Sequence, residues 1–415
     1  MARNLAWLAG GEVVLKGALF GAGVLVARGL GPAAMGDFTV AYGAAVVLML
    51  MLNAGQIEVV IREVAKRPSA AVALYHAARA WQRSLALAAV PLAACAALLV
   101  RQPSLRWTLL AFLPYAWLRS WLVTGGAAFK GLDRMDVEVS GRGAELVTAL
   151  LLLAPLALTT APVWTTGLAF SLGAAAGVAL IQLRFSSLPE SGAAGVTPGF
   201  LAREGLAFLG LALTSQVTMR ADTFLLASFG VAREEIGRYG VASAPVWGLL
   251  GLAQLLSVAV YPTMARAAGR GALRVGRVMA LGGGGAALGV VLAVGLECVR
   301  FPLIRLVFGP AYLPAVPLLA VLAWALPGAC TGMLLGAAVA ACGRQAWGLW
   351  LRVAWVVLAV AANLLAIPRW GLMGAAGVAV IVSSTGLVGS LVIAALAVRY
   401  PPQAERAVFA EPGWE

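Results

Sequence analysis

Glu12, Lys16, Arg119, Arg220 and Asp222 all lie inside long apolar runs, where an ionised side chain is expensive. At the centre of a membrane-spanning helix a charge costs about 2.5–3.5 kcal/mol on insertion scales, so each needs a partner or a task. Glu12 and Lys16 are four positions apart and share a face of any helix they belong to. Two readings are open for them: a self-contained ion pair that lets the helix insert, or a pair lining a path for cargo. Arg119 has Tyr115 one turn before it on the same face. It is either an anion-binding cation or the partner of an acid on a neighbouring span, such as Glu145. Arg220 shares a face with Gln216 and Thr223, whereas Asp222 points nearly the other way, with Ser215 and Thr218. One of these faces meets the cargo path and the other a helix neighbour. Three cations against one or two acids give a positive surface suited to an anion, and Glu12 and Asp222 are the acids able to carry a coupling ion.

Other chemistries lack their residues. Cys95, Cys298, Cys330 and Cys342 are scattered singly through apolar runs, without metal-site or disulfide-framework spacing, and read as buried structural thiols. The one histidine, His76, falls in a charged connection, which excludes a histidine proton relay within the membrane. There is no GxxxxGK phosphate loop and no DxD motif, and Asp133 and Asp136 sit in a short turn beside Arg134. No nucleophile–base constellation and no long outer loop suggests an enzyme of the envelope, and no metal or cofactor is implied. A net charge of +13 would suggest nucleic acid in a soluble domain, but here its distribution matters more than its sum.

The elements that carry these residues follow from composition. Of 415 residues, 62% are hydrophobic and 11% charged, against about 25% charged in soluble domains. Apolar blocks long enough to cross a bilayer run through nearly the whole chain. They predict an all-α polytopic membrane protein with about twelve spans: 5–28, 36–56, 84–100, 106–127, 144–160 and 163–183, then 205–229, 239–261, 278–298, 313–341, 350–367 and 374–398. The 313–341 block is long enough to tilt or to include a turn. Even-numbered connections and both termini hold 19 of the 30 Lys and Arg, and odd-numbered connections hold eight. That bias predicts cytoplasmic termini in the cell (inner) membrane. The longest connection, 57–83, alternates Ile57, Val60, Ile61 and Val64 with Glu58, Arg62, Lys66 and Arg67 and reads as an interfacial amphipathic segment on anionic headgroups. Gly17/Gly21, Gly173/Gly177 and Gly332/Gly336 read as GxxxG packing faces, and the Gly282–Gly285 run as close helix packing.

The halves repeat. Gly36-Asp-Phe38-Thr-Val40-Ala41 opens the second span and Gly237-Arg-Tyr239-Gly-Val241-Ala242 the eighth. Six spans return the chain to its starting side, so the repeat is parallel, with a pseudo-twofold axis along the membrane normal. The division expected is a lobe over 1–183, a cytoplasmic linker over 184–204, a second lobe over 205–398 and a cytoplasmic tail over 399–415.

Four stretches in register resemble the Wzx-type oligosaccharide and polysaccharide flippases of the multidrug/oligosaccharidyl-lipid/polysaccharide exporter superfamily. They are Ala27-Arg28-Gly-Leu-Gly31-Pro32-Ala-Ala-Met-Gly36-Asp-Phe38; Arg220-Ala-Asp222 with Ile236-Gly237-Arg-Tyr239 and Tyr261-Pro262; Leu306-Val-Phe308-Gly309-Pro-Ala-Tyr312; and Asn363 with Ile367-Pro368-Arg-Trp-Gly371-Leu-Met-Gly374. Met35 stands where the family usually has an aromatic. The resemblance implies a V-shaped pair of six-helix lobes around a central cavity. It implies a transporter carrying undecaprenyl-diphosphate-linked oligosaccharide to the outer leaflet without ATP, beside polysaccharide polymerase machinery. In that picture Lys16, Arg119 and Arg220 meet the two phosphates and Glu12 or Asp222 couples an ion. The competing reading within the superfamily is an ion-coupled multidrug antiporter, whose cationic cargo would favour carboxylates and aromatics instead.

Overall fold

The computed structural model describes residues 2–159, 161–188, 198–270 and 272–400, and their regular structure is entirely helical. The helices are α1 (Ala2–Asn53), α2 (Gln56–Lys66), α3 (Ala71–Leu98), α4 (Pro103–Gly131), α5 (Met135–Leu156) and α6 (Trp164–Phe185). There follow α7 (Pro198–Ser228), α8 (Arg233–Gly269), α9 (Val275–Leu303), α10 (Val316–Ala323), α11 (Leu326–Ala341) and α12 (Gln345–Arg399).

Two of these helices hold two spans each. Gly31 breaks α1 at φ 81°, because Pro32 forces the residue before it out of the helical region and only glycine accepts that turn without strain. Gly371 breaks α12 at φ 53°, a left-handed conformation that glycine adopts without strain. Among the described residues, seven helices are long and apolar enough to cross a membrane, and α10 with α11, bent by 45°, make an eighth. Dividing α1 and α12 adds two more. The 29-residue α4 and 31-residue α7, less apolar because they carry Arg119 or Arg220, complete twelve. The bend between α10 and α11, around Trp324 and Ala325, is the turn expected within 313–341.

Two boundaries differ from the hydropathy reading. α3 starts at Ala71 and α5 at Met135, well before the apolar blocks at 84 and 144. Charged turns stay helical where a helix projects beyond the hydrocarbon: the 28 residues of α3 span about 42 Å against a core of about 30 Å. The amphipathic connection therefore shrinks to α2, and Arg79 and Arg83 belong to α3. On α2, Val59, Val60 and Val64 are buried. Its cations are engaged within the protein: Arg62 bonds Glu63 and Glu204 of α7, each at 2.9 Å, and Lys66 bonds Glu63 at 3.0 Å.

The surface is that of a membrane protein, with Leu87, Leu99 and Leu158 more than 80% exposed. Cys95 and Cys298, expected to be buried, are exposed among such side chains, while Cys330 and Cys342 are buried, and none of the four is in a disulfide. In this setting an apolar run buries a thiol in lipid as readily as in protein. Gly173 and Gly177 do form a packing face, pressed against the backbone of Glu145 and Gly141. Gly17 and Gly21 face open space, so their spacing marks no helix contact. Within the Gly282–Gly285 run, Gly282 meets Leu391 and Leu335 and Gly285 meets Thr331, while the two between face outward.

Contacts divide the chain into two compact units, Met1–Ala227 with Ala232–Gly240, and Ser228–Val231 with Val241–Glu415. The first has an aromatic centre of Phe38, Tyr42, Phe112, Tyr115 and Phe170. In the second, α9 lies on α11 through Gly285 and Gly289. The expected linker overlaps 189–197, and nearly all of the expected tail is 401–415; both stretches lie outside the described residues.

Candidate functional site

Charged side chains of α1, α4 and α5 form two assemblies. Glu12 pairs with Arg142 of α5, which also bonds Glu138 at 3.2 Å, and Glu138 bonds Lys130 of α4 at 3.2 Å. The ion pair that Glu12 makes thus reaches across to α5, although Lys16 shares its helix face. Lys16 is partly buried one turn further along α1. Arg119 pairs with Glu145, whose side chain is fully buried, and lies 5.8 Å from the Tyr115 ring. Of its two readings, the neighbouring acid is present. The count of one or two acids is corrected accordingly: Glu12, Glu138 and Glu145 balance Arg119, Lys130 and Arg142 within these assemblies. Spacing alone could not find Arg142, which stands 130 positions from its partner.

Arg220 is placed differently. Its Nε donates to Gln216 at 3.2 Å, and its guanidinium lies 5.7 Å from the Tyr42 ring on α1. No carboxylate is within ion-pairing distance of it among the described residues. Tyr42 lies 5.9 Å from Tyr115, so two tyrosine rings stand between Arg220 and Arg119. Asp222 is buried; it accepts hydrogen bonds from the Tyr239 hydroxyl of α8 and from the Thr223 amide at 2.6 Å. The two faces of α7 thus meet different helices, Arg220 toward α1 and Asp222 toward α8.

A third assembly escaped the sequence reading. Arg233, at the start of α8, donates through Nε to Asp37 at 2.8 Å and through a terminal nitrogen to Ser104 at 2.9 Å; a second terminal bond closes on Asp37. Ser104 itself donates to Asp37 at 2.6 Å. Asp37 is 1% exposed, so its charge depends on these partners. Beside it the two copies of the repeated motif cross. A Cβ on Gly36 would collide with the Arg233 carbonyl, and one on Gly237 with the Pro32 carbonyl. The same offset separates Gly36 from Gly237 and Pro32 from Arg233, so the contact is reciprocal, as a local twofold axis requires. Thr39 and Gly240, related by that offset too, also face each other.

The chain is similar to known transporters. A family model described as polysaccharide biosynthesis protein matches residues 1–268. No curated protein sequence matches. An inward-facing multidrug resistance MATE family transporter of the MOP superfamily superposes with a TM-score of 0.73 at 14% identity, covering 96% of both chains. An outward-facing multidrug resistance MATE family transporter gives 0.64 at 15% identity, covering 97% of this chain and 96% of that one. The lipid II flippase MurJ, in an inward closed conformation, gives 0.63 at 14% identity, covering 95% and 89%. Identities this low establish the fold, and the family model covers more than half of the chain. With that match, the membrane-length helices and the repeated motif crossing on itself lead to one assignment: the chain belongs to the polysaccharide biosynthesis protein family, and its fold is that of the MATE and MurJ transporters.

Proposed function

We propose that the chain carries an undecaprenyl-diphosphate-linked oligosaccharide from the cytoplasmic to the outer leaflet of the inner membrane, by alternating access and without ATP hydrolysis. The family match over residues 1–268 carries this reading. The resemblance to the lipid II flippase MurJ agrees with it. Both termini are cytoplasmic in this reading, by the bias in Lys and Arg.

Lys16, Arg119 and Arg220 are the cations assigned to the diphosphate. Arg220 is the foremost, because it has a polar and an aromatic partner but no carboxylate, and its planar fork suits phosphate oxygens. Arg119 must share its charge with Glu145, so its contribution is weaker unless that pair opens. Asp222 and Glu12 are the acids assigned to ion coupling; protonation of Asp222 would alter its bond with Tyr239. A phosphate leaving water needs fixed charge and donors along its path, and these residues supply them.

Purified chain in vesicles should move an undecaprenyl-diphosphate-linked sugar with no nucleotide present. Strict dependence on ATP, or extrusion of organic cations with no movement of the sugar lipid, would overturn the reading.

A further inference from the structure

We propose that Arg79 and Arg83 of α3, backed by Trp121 of α4, bind the phosphate headgroup of an anionic phospholipid in the leaflet at the α2 end of α3. The two arginines are four positions apart and share a helix face. Their guanidinium groups lie over one and the same indole: Arg79 is 4.1 Å and Arg83 5.4 Å from the centre of the Trp121 ring. Arg79 also lies 5.4 Å from the Tyr75 ring. Neither has a carboxylate within ion-pairing distance among the described residues, unlike Arg119, Arg142 and Arg233. The Nε of Arg79 is buried and has no hydrogen-bond partner. Two cations crowded on one ring repel each other, and the ring's negative face offsets only part of that repulsion. An anion lying between them removes it.

Depth and surroundings identify the anion as a lipid's. Counting back from Leu98 at about 1.5 Å per residue, Arg83 lies about 23 Å and Arg79 about 29 Å along α3. With a hydrocarbon core of about 30 Å, Arg79 stands at headgroup level and Arg83 reaches it by extending its stem. Leu87, one turn beyond Arg83, is 81% exposed, so lipid chains meet the same face. Trp117 packs edge-on to Trp121 at 5.0 Å and fixes the ring against which the two arginines lie. Two arginines held against one ring at this level have the character of an acidic-lipid site. The site involves none of the residues assigned to cargo, so it stands or falls apart from the transport reading.

The test is native mass spectrometry of the full chain, delipidated in detergent and titrated with phosphatidylglycerol, phosphatidylcholine or inorganic phosphate. Wild-type chain should take up phosphatidylglycerol in clear preference to phosphatidylcholine. The Arg79→Gln/Arg83→Gln variant should bind phosphatidylglycerol about thirtyfold more weakly, which is the effect of two cations at a membrane surface. Arg266→Gln/Arg270→Gln, which removes two exposed arginines of α8 and the turn after it, should leave the preference intact. Arg79→Lys/Arg83→Lys should fall between, since it keeps charge without the planar stack. Unchanged phosphatidylcholine binding in each variant shows that it is folded. A preference that survives in the Gln variant, or displacement of the lipid by millimolar inorganic phosphate, would overturn the proposal.

Discussion

Arg119 and Glu145 show what a buried pair demands of a membrane helix. Glu145 is fully buried, and its second carboxylate oxygen has no hydrogen-bond partner, so the guanidinium is its main support. Removing one member of such a pair costs about 3–5 kcal/mol, because the other charge is left stranded. Arg119→Ala should therefore lower the yield of folded protein, and Arg119→Gln/Glu145→Gln should restore much of it. Arg220 has no such dependent carboxylate. Arg220→Ala should keep its yield and lose sugar-lipid transport per folded molecule, with Arg220→Lys losing less. Yield by fluorescence-detected gel filtration and transport in vesicles separate the two; loss of yield in Arg220→Ala with normal transport per molecule would contradict this division. These residues also mark the reach of spacing rules. Gln216 was legible as Arg220's neighbour because the two share a helix turn, and Glu145 because an acid on the next span was the natural partner. The partnership of Asp37 with Arg233 spans 196 positions, and no local periodicity points to it.

Among the elements, the crossing of the second half of α1 with the head of α8 has little room to give. Val at Gly237 would meet the Pro32 carbonyl, a backbone atom that cannot swing aside. Overpacking of this kind costs about 1–3 kcal/mol. Gly237→Val should lower the thermal unfolding midpoint, whereas Gly17→Ala, whose side chain enters open space in a helix, should hold or raise it. Equal effects from the two would show that the crossing bears no load. Both glycines were visible in the sequence, but only the first as part of a repeated motif; GxxxG spacing misplaced the second. Helix ends were less legible than helix cores. Hydropathy measures the part of a helix that lies in lipid, and α3 and α5 continue past it.

At the scale of the whole molecule, twelve spans were legible because apolar length is set by bilayer thickness rather than by any partner. Their orientation is a statement about charge alone, and it makes a direct prediction. Reporter fusions after Ala161 and after Gly371 should report the outer side, and a fusion after Arg274 the cytoplasm. An outer report at Arg274 would contradict both the orientation and the count of spans before it. The crossing at Gly36 and Gly237 has a consequence for how such a chain can change. Were the halves two separate copies of one six-helix chain, each of these positions would face itself, and a single codon would write both sides of the contact. A symmetric pair makes any bond beside its axis twice or not at all. Joined in one polypeptide, the halves are free to differ, with Arg233 standing where its counterpart is Pro32, and the chain makes the Asp37–Arg233 bond on one side only.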